Sequence, residues 1–431
     1  MPPINSFTYR VLFYFTTYRT PEEFWKNEGK DWSKEKDKFI NPGRVVKAAI
    51  DEITVPSDTQ DQKLRKLYAA VMQLENTSFT RERTKGEEKS EGLNESHNAD
   101  DIWTRKRGSR NDLAKLFVAM ARAAGMKAYL ANITSRDQSL FAKSYFSLSQ
   151  LNDDVAIVNV DGKEQFFDPG SRYCPYGHLA WMHTLAGGIR QTEGGTDFVT
   201  TPASPYTYSR VLRVANLAVD TQGAVSGSIV MTYLGDAGLR WRQTFLKGDP
   251  ASLNRELRTS VENLMPPRVE VNVASIEQLG EYEKPFVVTF DVTGVLGSTT
   301  GKRLLLPGDI FEGGAKPSFP NQKRDIPVYF KYSHAVQDAV RIKFPGSFTV
   351  ESLPASDKSM FEKAIAYSIN AESTAATVTI RRDYILGEIV YAPVQYASLR
   401  TFYSRMENKD QESVILTTAP VKTGKPAATG N

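Results

Sequence analysis

The sequence predicts an α+β chain in which a compact helix-and-strand core is followed by antiparallel β-sandwich material. Three observations lead there. Between Gly43 and Pro205, two amphipathic helices precede three short strands. From Tyr206 onward, short strand candidates recur with turn signals between them. The Pro- and Gly-rich stretch Leu306 to Lys323 marks an internal boundary. A chain of 431 residues has room for two to four domains at about 150 residues each. The division read from these signals is 1–42, a strand and clasp, then 43–205, the α+β core. Residues 206–320 are β-rich with one helix, 321–418 form a β-sandwich, and 419–431 are a small, polar, disordered tail.

Each element has its local reason. Thr8 to Thr16, rich in Tyr, Val and Phe, reads as a strand. Pro21 to Phe39 is charged, with Phe24, Trp25 and Trp32 interspersed, and reads as a helical clasp. Neither piece can bury a core alone. Ser57 and Asp58 offer caps for a helix running to about Glu75, with Leu64, Leu67, Tyr68, Val71 and Leu74 on one apolar face. Arg81 to Asn98 is highly charged and predicts an exposed loop. A second helix spans Asn111 to Ala124. Leu113, Leu116, Phe117, Met120 and Ala124 form its buried face, and Gly125 stops it. Strands follow at Lys127 to Thr134, Val155 to Val160 and Gln165 to Phe167. Asp161-Gly162 is a tight turn between the last two, and Asp168-Pro169-Gly170 ends the third.

The C-terminal strand candidates are Val211 to Leu217, Ser226 to Tyr233, Pro285 to Thr293, Pro327 to Tyr332, Ala339 to Phe344 and Thr377 to Asp383. Ser252 to Leu264 is an amphipathic helix among them. Gly235-Asp236-Ala237-Gly238 lacks the lysine of a phosphate loop and reads as a turn.

Composition narrows the function classes. The net charge of +4, from 54 basic and 50 acidic residues, is too balanced for a general nucleic-acid or membrane-surface binder. One cysteine excludes an intrachain disulfide, and with four scattered histidines it makes no zinc site. No metal and no cofactor are expected. No stretch reaches the ~18 apolar residues of a membrane helix. The N-terminal apolar run, Val11 to Phe15, is shorter than the ~7–15 residues of a signal-peptide core. A chain starting at Met1 would stay in the cytoplasm.

Several short motifs, in order, carry a resemblance. Gly108-Ser109-Arg110-Asn111-Asp112-Leu113-Ala114-Lys115-Leu116 opens the second helix. It is followed by Arg122-Ala123-Ala124-Gly125-Met126-Lys127-Ala128-Tyr129, by Asn152-Asp153-Asp154-Val155 and by Phe166-Phe167-Asp168-Pro169. This series resembles the transglutaminase-like (papain-type) superfamily, whose motifs are Gly-x-Cys-x-x-x-Ala-x-Leu, Arg-Ala-x-Gly, Asn-His-Val and an Asp-Pro strand end. Arg324 to Val328, Phe344-Pro345-Gly346, Val350 to Pro354 and Tyr396 to Arg400 are similar to the C-terminal domain of bacterial envelope members. The resemblance implies an upstream β-sandwich domain, largely absent here, of which Tyr9 to Phe15 would be the last strand. It implies a periplasmic or secreted protein.

The departures decide the expected chemistry. Acyl transfer by this fold uses a thiolate, an imidazole and a carboxylate that orients it. Carried onto this sequence, the thiol position is Arg110, which stays protonated and cannot attack. The imidazole position is Asp154, or Asp153 if the register slips, and Asp168 is the orienting acid. No catalytic residue is expected at this degenerate triad. Arg110 is instead expected to hydrogen-bond Asp154, Asp153 or Asp168, because its fork suits carboxylates.

Other candidates have structural readings beside functional ones. Ser109, which could be a displaced nucleophile, sits where a helix N-cap belongs. Cys174 and His178 are spaced for a relocated dyad or half a metal site, yet a lone loop cysteine usually just packs. Trp103, Tyr173, Tyr176 and Trp181 could line a groove for a peptide or glycan, or fill core. The expected function is a non-catalytic binding or scaffold module at the cell envelope. The alternative is an active cysteine-type amide hydrolase or acyl transferase using Cys174, and a purely structural spacer of β-sandwiches is a third reading.

Overall fold

The structure is a computed structural model describing residues 2–3, 6, 16–80, 84–90, 96–313 and 315–418. Residues 8–15 of the expected first strand and the tail from 419 lie outside the described residues. The chain forms two compact units. The first comprises Met1–Ser204, Leu239–Gly248 and Tyr329–Lys331, and the second comprises Pro205–Gly238, Asp249–Val328 and Tyr332–Asn431.

The first unit contains six helices among the described residues before residue 124. They are α1 (Pro21–Ile40), α2 (Arg44–Ile53), α3 (Gln60–Met72), α4 (Lys85–Ser90), α5 (Ala99–Arg105) and α6 (Arg110–Ala123). Helices α2, α4 and α5 differ from the sequence expectation, and α4 lies inside the stretch read as a loop. Helix α3 starts on a Thr59–Gln62 capping box, so Thr59 takes the capping role assigned to Ser57 and Asp58. Helix α6 forms because Ser109 and Asp112 close a second capping box. It ends where Gly125 takes φ +83°, a left-handed conformation that costs glycine little.

Two short strands, β1 (Glu75–Asn76) and β2 (Arg107–Gly108), pair in parallel ahead of α6. The main sheet uses β3 (Ala128–Ile133), β4 (Asp153–Val160), β5 (Lys163–Phe167), β6 (Gly187–Thr192) and β7 (Gly195–Thr200) in the order β5-β4-β3-β6-β7, all antiparallel. Helix α6 packs on β3 and β4. Leu116 and Phe117, at 0% exposure, each contribute about 1.5–3 kcal/mol of burial there. Strands β6 and β7 are additional to the three the sequence predicted. Their sequences, Gly-Gly-Ile-Arg-Gln-Thr and Gly-Thr-Asp-Phe-Val-Thr, lack clean apolar alternation.

The second unit begins with β8 (Arg210–Val219) and β9 (Ala224–Tyr233). Helix α7 (Asp236–Lys247), which starts here and belongs to the first unit from Leu239 on, corrects the reading of residues 235–238 as a turn. Asp236 starts the helix and accepts the Ser209 hydroxyl, and only Gly235, at φ +59°, has turn geometry. Then come α8 (Pro250–Glu262), β10 (Val269–Glu277), β11 (Phe286–Val295), β12 (Ser298–Thr300), β13 (Arg303–Pro307) and β14 (Val328–Tyr329). The remainder is β15 (His334–Lys343), β16 (Thr349–Ser352), β17 (Asp357–Phe361), β18 (Ile365–Ser373), β19 (Thr377–Leu386), β20 (Val390–Tyr391), α9 (Tyr396–Asp410) and β21 (Ser413–Thr417).

One eight-stranded sheet runs β10-β11-β9-β8-β15-β19-β18-β17. Its pairs are antiparallel except β8 with β15, which run parallel. The expected boundary at residues 306–323 therefore does not separate two sheets. Strand β8 pairs with β15 over nine residues at the centre of the sheet, joining both expected β segments. A four-stranded sheet, β12-β13-β21-β16, completes the unit's antiparallel material. Among the described residues, no helix is long and apolar enough to cross a membrane.

Candidate functional site

The site is built where α6, β4, the end of β5 and the segment after it meet. Arg110 is the first residue of α6. Its Nη1 donates to both oxygens of Asp153, at 3.3 and 3.2 Å. Asp153 opens β4 and is 3% exposed. Its Oδ2 also lies 2.9 Å from Nε2 of His183, a residue of the single-turn helix Trp181–His183. The other ring nitrogen, Nδ1, is 2.7 Å from Asp168 Oδ2. Asp168, fully buried after β5, also accepts the backbone N–H groups of Ser171 at 3.1 Å and Ala180 at 3.0 Å. Arg110, Asp153, His183 and Asp168 thus form a four-member ladder of alternating charge.

The electrostatics follow from the order of the ladder. Burial alone would push the His183 imidazole toward neutrality. The Asp168 charge and the hydrogen bonds to both carboxylates outweigh it and raise its pKa to about 10. Burial would likewise raise Asp153, but the imidazolium and the Arg110 guanidinium hold it down at about 2. At neutral pH His183 is therefore an imidazolium, with one ring N–H facing Asp168 and the other facing Asp153. No imidazole lone pair is left to act as a base.

Strand geometry decides which aspartate joins. Neighbouring residues on a strand point to opposite faces, so Asp153 and Asp154 cannot both reach His183. Asp154, the primary expectation, takes the other direction, and Asp153, the alternative, is the aspartate that meets Arg110 and His183. Its Oδ1 accepts from Asn132 Nδ2 at 2.7 Å across the β3–β4 pair, and its backbone N–H is bound by Asn111 Oδ1 at 2.9 Å. Burial raises its carboxyl to about 6.

The remaining candidates are dispersed. Ser109 is the α6 N-cap, its hydroxyl 2.7 Å from Asp112 Oδ2. Cys174 is fully buried, packed with Ala180 and Leu239, and its sulfur lies 3.5 Å from the His178 backbone carbonyl. Burial lowers the His178 pKa. Tyr176 packs edge-on to Tyr68 in the core and donates to Asp61 at 2.9 Å. Trp103 lies under the Lys106 ammonium, 3.2 Å from the ring centroid, and Tyr173 lies beside Arg172. Trp181 faces Arg136 and Lys331. These rings are held by separate local partners. Among the described residues, no group of acidic, histidine and cysteine side chains has the arrangement of a metal site.

The sequence reading missed His183. It considered His178 because a cysteine stands four residues before it, whereas nothing in the spacing of Leu179-Ala180-Trp181-Met182-His183 marks a site. The available signal was electrostatic: two buried carboxylates facing one guanidinium need another cation.

Residues 47–163 match the family model of the transglutaminase-like superfamily. Residues 302–416 match a domain of unknown function, DUF3858. Comparison with the curated proteins gives no match. Among solved structures, the chain is similar to a Parabacteroides distasonis protein described as a "putative protease", with TM-score 0.50 and 11% identity. The similarity covers 93% of this chain and 59% of that one, so the chain spans about three fifths of that protein's length.

Proposed function

Because residues 47–163 form a transglutaminase-like core, we propose that the protein is a catalytically inactive member of that fold, a binding or scaffold module acting at the cell envelope on a peptide or glycan. The observation that carries this reading is the committed His183, with Asp168 on one ring nitrogen and Asp153 on the other. Chemistry of the transglutaminase type needs a thiolate beside an imidazole with a free nitrogen. Here a guanidinium occupies the thiol position, and the imidazole bridges two carboxylates. The reading with Cys174 as nucleophile finds less support, because that sulfur is buried and directed at a backbone carbonyl.

The deciding experiment assays the purified chain for amine incorporation and peptide hydrolysis, with iodoacetamide as a probe of Cys174. The expected result is neither turnover nor rapid labelling. Turnover that disappears in Cys174→Ala would overturn the proposal in favour of a cysteine hydrolase or acyl transferase. A periplasmic or secreted address belongs to the same proposal and rests on the resemblance to envelope proteins. Fractionating cells that express the natural gene tests it, and recovery in the cytoplasm alone would reject it.

A further inference from the structure

The second unit holds a buried ionic network of its own. Arg213 on β8 donates to both oxygens of Asp338, at 2.5 and 2.6 Å, and to Glu312 at 2.7 Å. Arg382 on β19 donates to both oxygens of Asp410, at 2.8 and 2.9 Å, and reaches Asp338 at 3.5 Å. Tyr367 on β18 adds its hydroxyl to Asp410 at 2.7 Å. Asp309, just after β13, enters this network at 0% exposure. Its Oδ1 accepts the Phe311 N–H at 2.9 Å. Its Oδ2 is buried with no hydrogen-bond partner, 3.9 Å from Arg382 Nε.

Charge counting exposes the problem this creates. If Asp309, Glu312, Asp338 and Asp410 were all ionised, four negative charges would face the two of Arg213 and Arg382, an excess of two. A buried carboxylate oxygen with no donor is costly, and the usual resolution is to bind a proton. We propose that Asp309 is an uncharged carboxylic acid in the folded protein, and that its ionisation, which would leave a buried charged oxygen without a donor, weakens the packing of residues 308–313. The loop is held at both flanks: Gly308 N–H donates to the Glu412 carbonyl at 2.8 Å, and Gln411 Nε2 to the Glu312 carbonyl at 3.1 Å. The protonation state bears on how this segment, which follows β13, meets the strands carrying Arg213 and Arg382.

The direction of the acidity agrees. Burial raises the Asp309 pKa well above the usual carboxylate range, and the Asp338 charge adds to it, against the opposing pull of Arg213 and Arg382. A folded-state pKa raised in this way gives stability that is fully present below the unfolded value. It is lost as pH climbs through the folded one. Asp309→Asn keeps the shape and removes the titration. In the full-length protein, denaturant unfolding from about pH 5 to about pH 9 should show an extra slope in wild type that the variant lacks. That slope approaches one proton, or about tenfold in the unfolding constant per pH unit. Identical slopes in the two proteins would overturn the proposal. Should the variant not fold, the carboxyl carbon-13 spectrum of wild type at neutral pH decides. A resonance at the protonated position is the expected result, and its absence would also overturn the proposal.

Discussion

His183 is the residue on which the candidate site depends. It separates two carboxylates, Asp153 at 3% exposure and Asp168 at 0%, that would otherwise repel each other without solvent. Replacing it by glutamine keeps hydrogen-bonding capacity and removes the charge. His183→Gln should cost about 3–5 kcal/mol, the range for breaking a buried ion pair from one side. The pH dependence has a definite sign. The imidazole pKa is raised from 6.5 to about 10 on folding, so its stabilisation is fully present below 6.5 and lost as pH rises through about 10. Denaturant unfolding of wild type should weaken across that interval, and the His183→Gln curve should lack this component. An imidazole carbon or nitrogen resonance titrating near its ordinary value would show that the ladder is not ionised as described. The sequence reached half of this site. Arg110 and Asp168 are legible because each sits at a fixed offset from a helix start or strand end. His183 is not, because its role comes from a fold-back that brings residues 153, 168 and 183 together, with no local signature in the chain.

The elements explain why the ladder is held so closely. The N-terminus of α6 is fixed from two sides. Its capping box uses Ser109 and Asp112, and the Arg110 N–H donates to Ser78 Oγ at 3.0 Å. Gly170 closes the remaining side, since a Cβ there would lie 2.4 Å from the Arg110 backbone carbonyl. Backbone cannot give way as a flexible side chain can. Gly170→Ala should destabilise the protein by about 1–3 kcal/mol, the usual cost of overpacking, and displace Arg110 from Asp153. Gly194→Ala, where nothing lies within 4 Å, should stay within about 0.5 kcal/mol of wild type. Equal melting temperatures for the two variants would reject this account. Helix α6 was readable from its cap, its apolar face and its glycine stop. Helix α7 was not, because Gly235 and Gly238 flank its first turn and glycine normally argues against helix. Tertiary packing that buries Leu239 and Trp241 overrides that propensity.

For the whole molecule, the order of motifs carried the transglutaminase-like core and the later sheet, while long-range pairing stayed hidden. Strand β8 pairs in parallel with β15 more than a hundred residues later, and no turn signal can encode such a partner. The same distinction between local motif and assembled site governs what a thiol placed at position 110 would do. Arg110→Cys would place a thiol at the N-terminus of α6, where the helix dipole favours a thiolate. A thiol with an ordinary pKa near 8.5 still needs a base. His183 cannot serve, because both ring nitrogens carry protons and face carboxylates. Asp153, held at about 2, is too weak a base to take a thiol proton at neutral pH. Removing the guanidinium would also leave Asp153 bound to His183 alone, which ties the imidazole more tightly to its present place. Arg110→Cys should therefore become alkylatable by iodoacetamide, since the position is partly exposed, and should show no amine incorporation or peptide hydrolysis. Turnover in this single variant would mean that the His183–Asp168 pair can release Asp153 and act as a catalytic dyad, and the protein would be one substitution from activity.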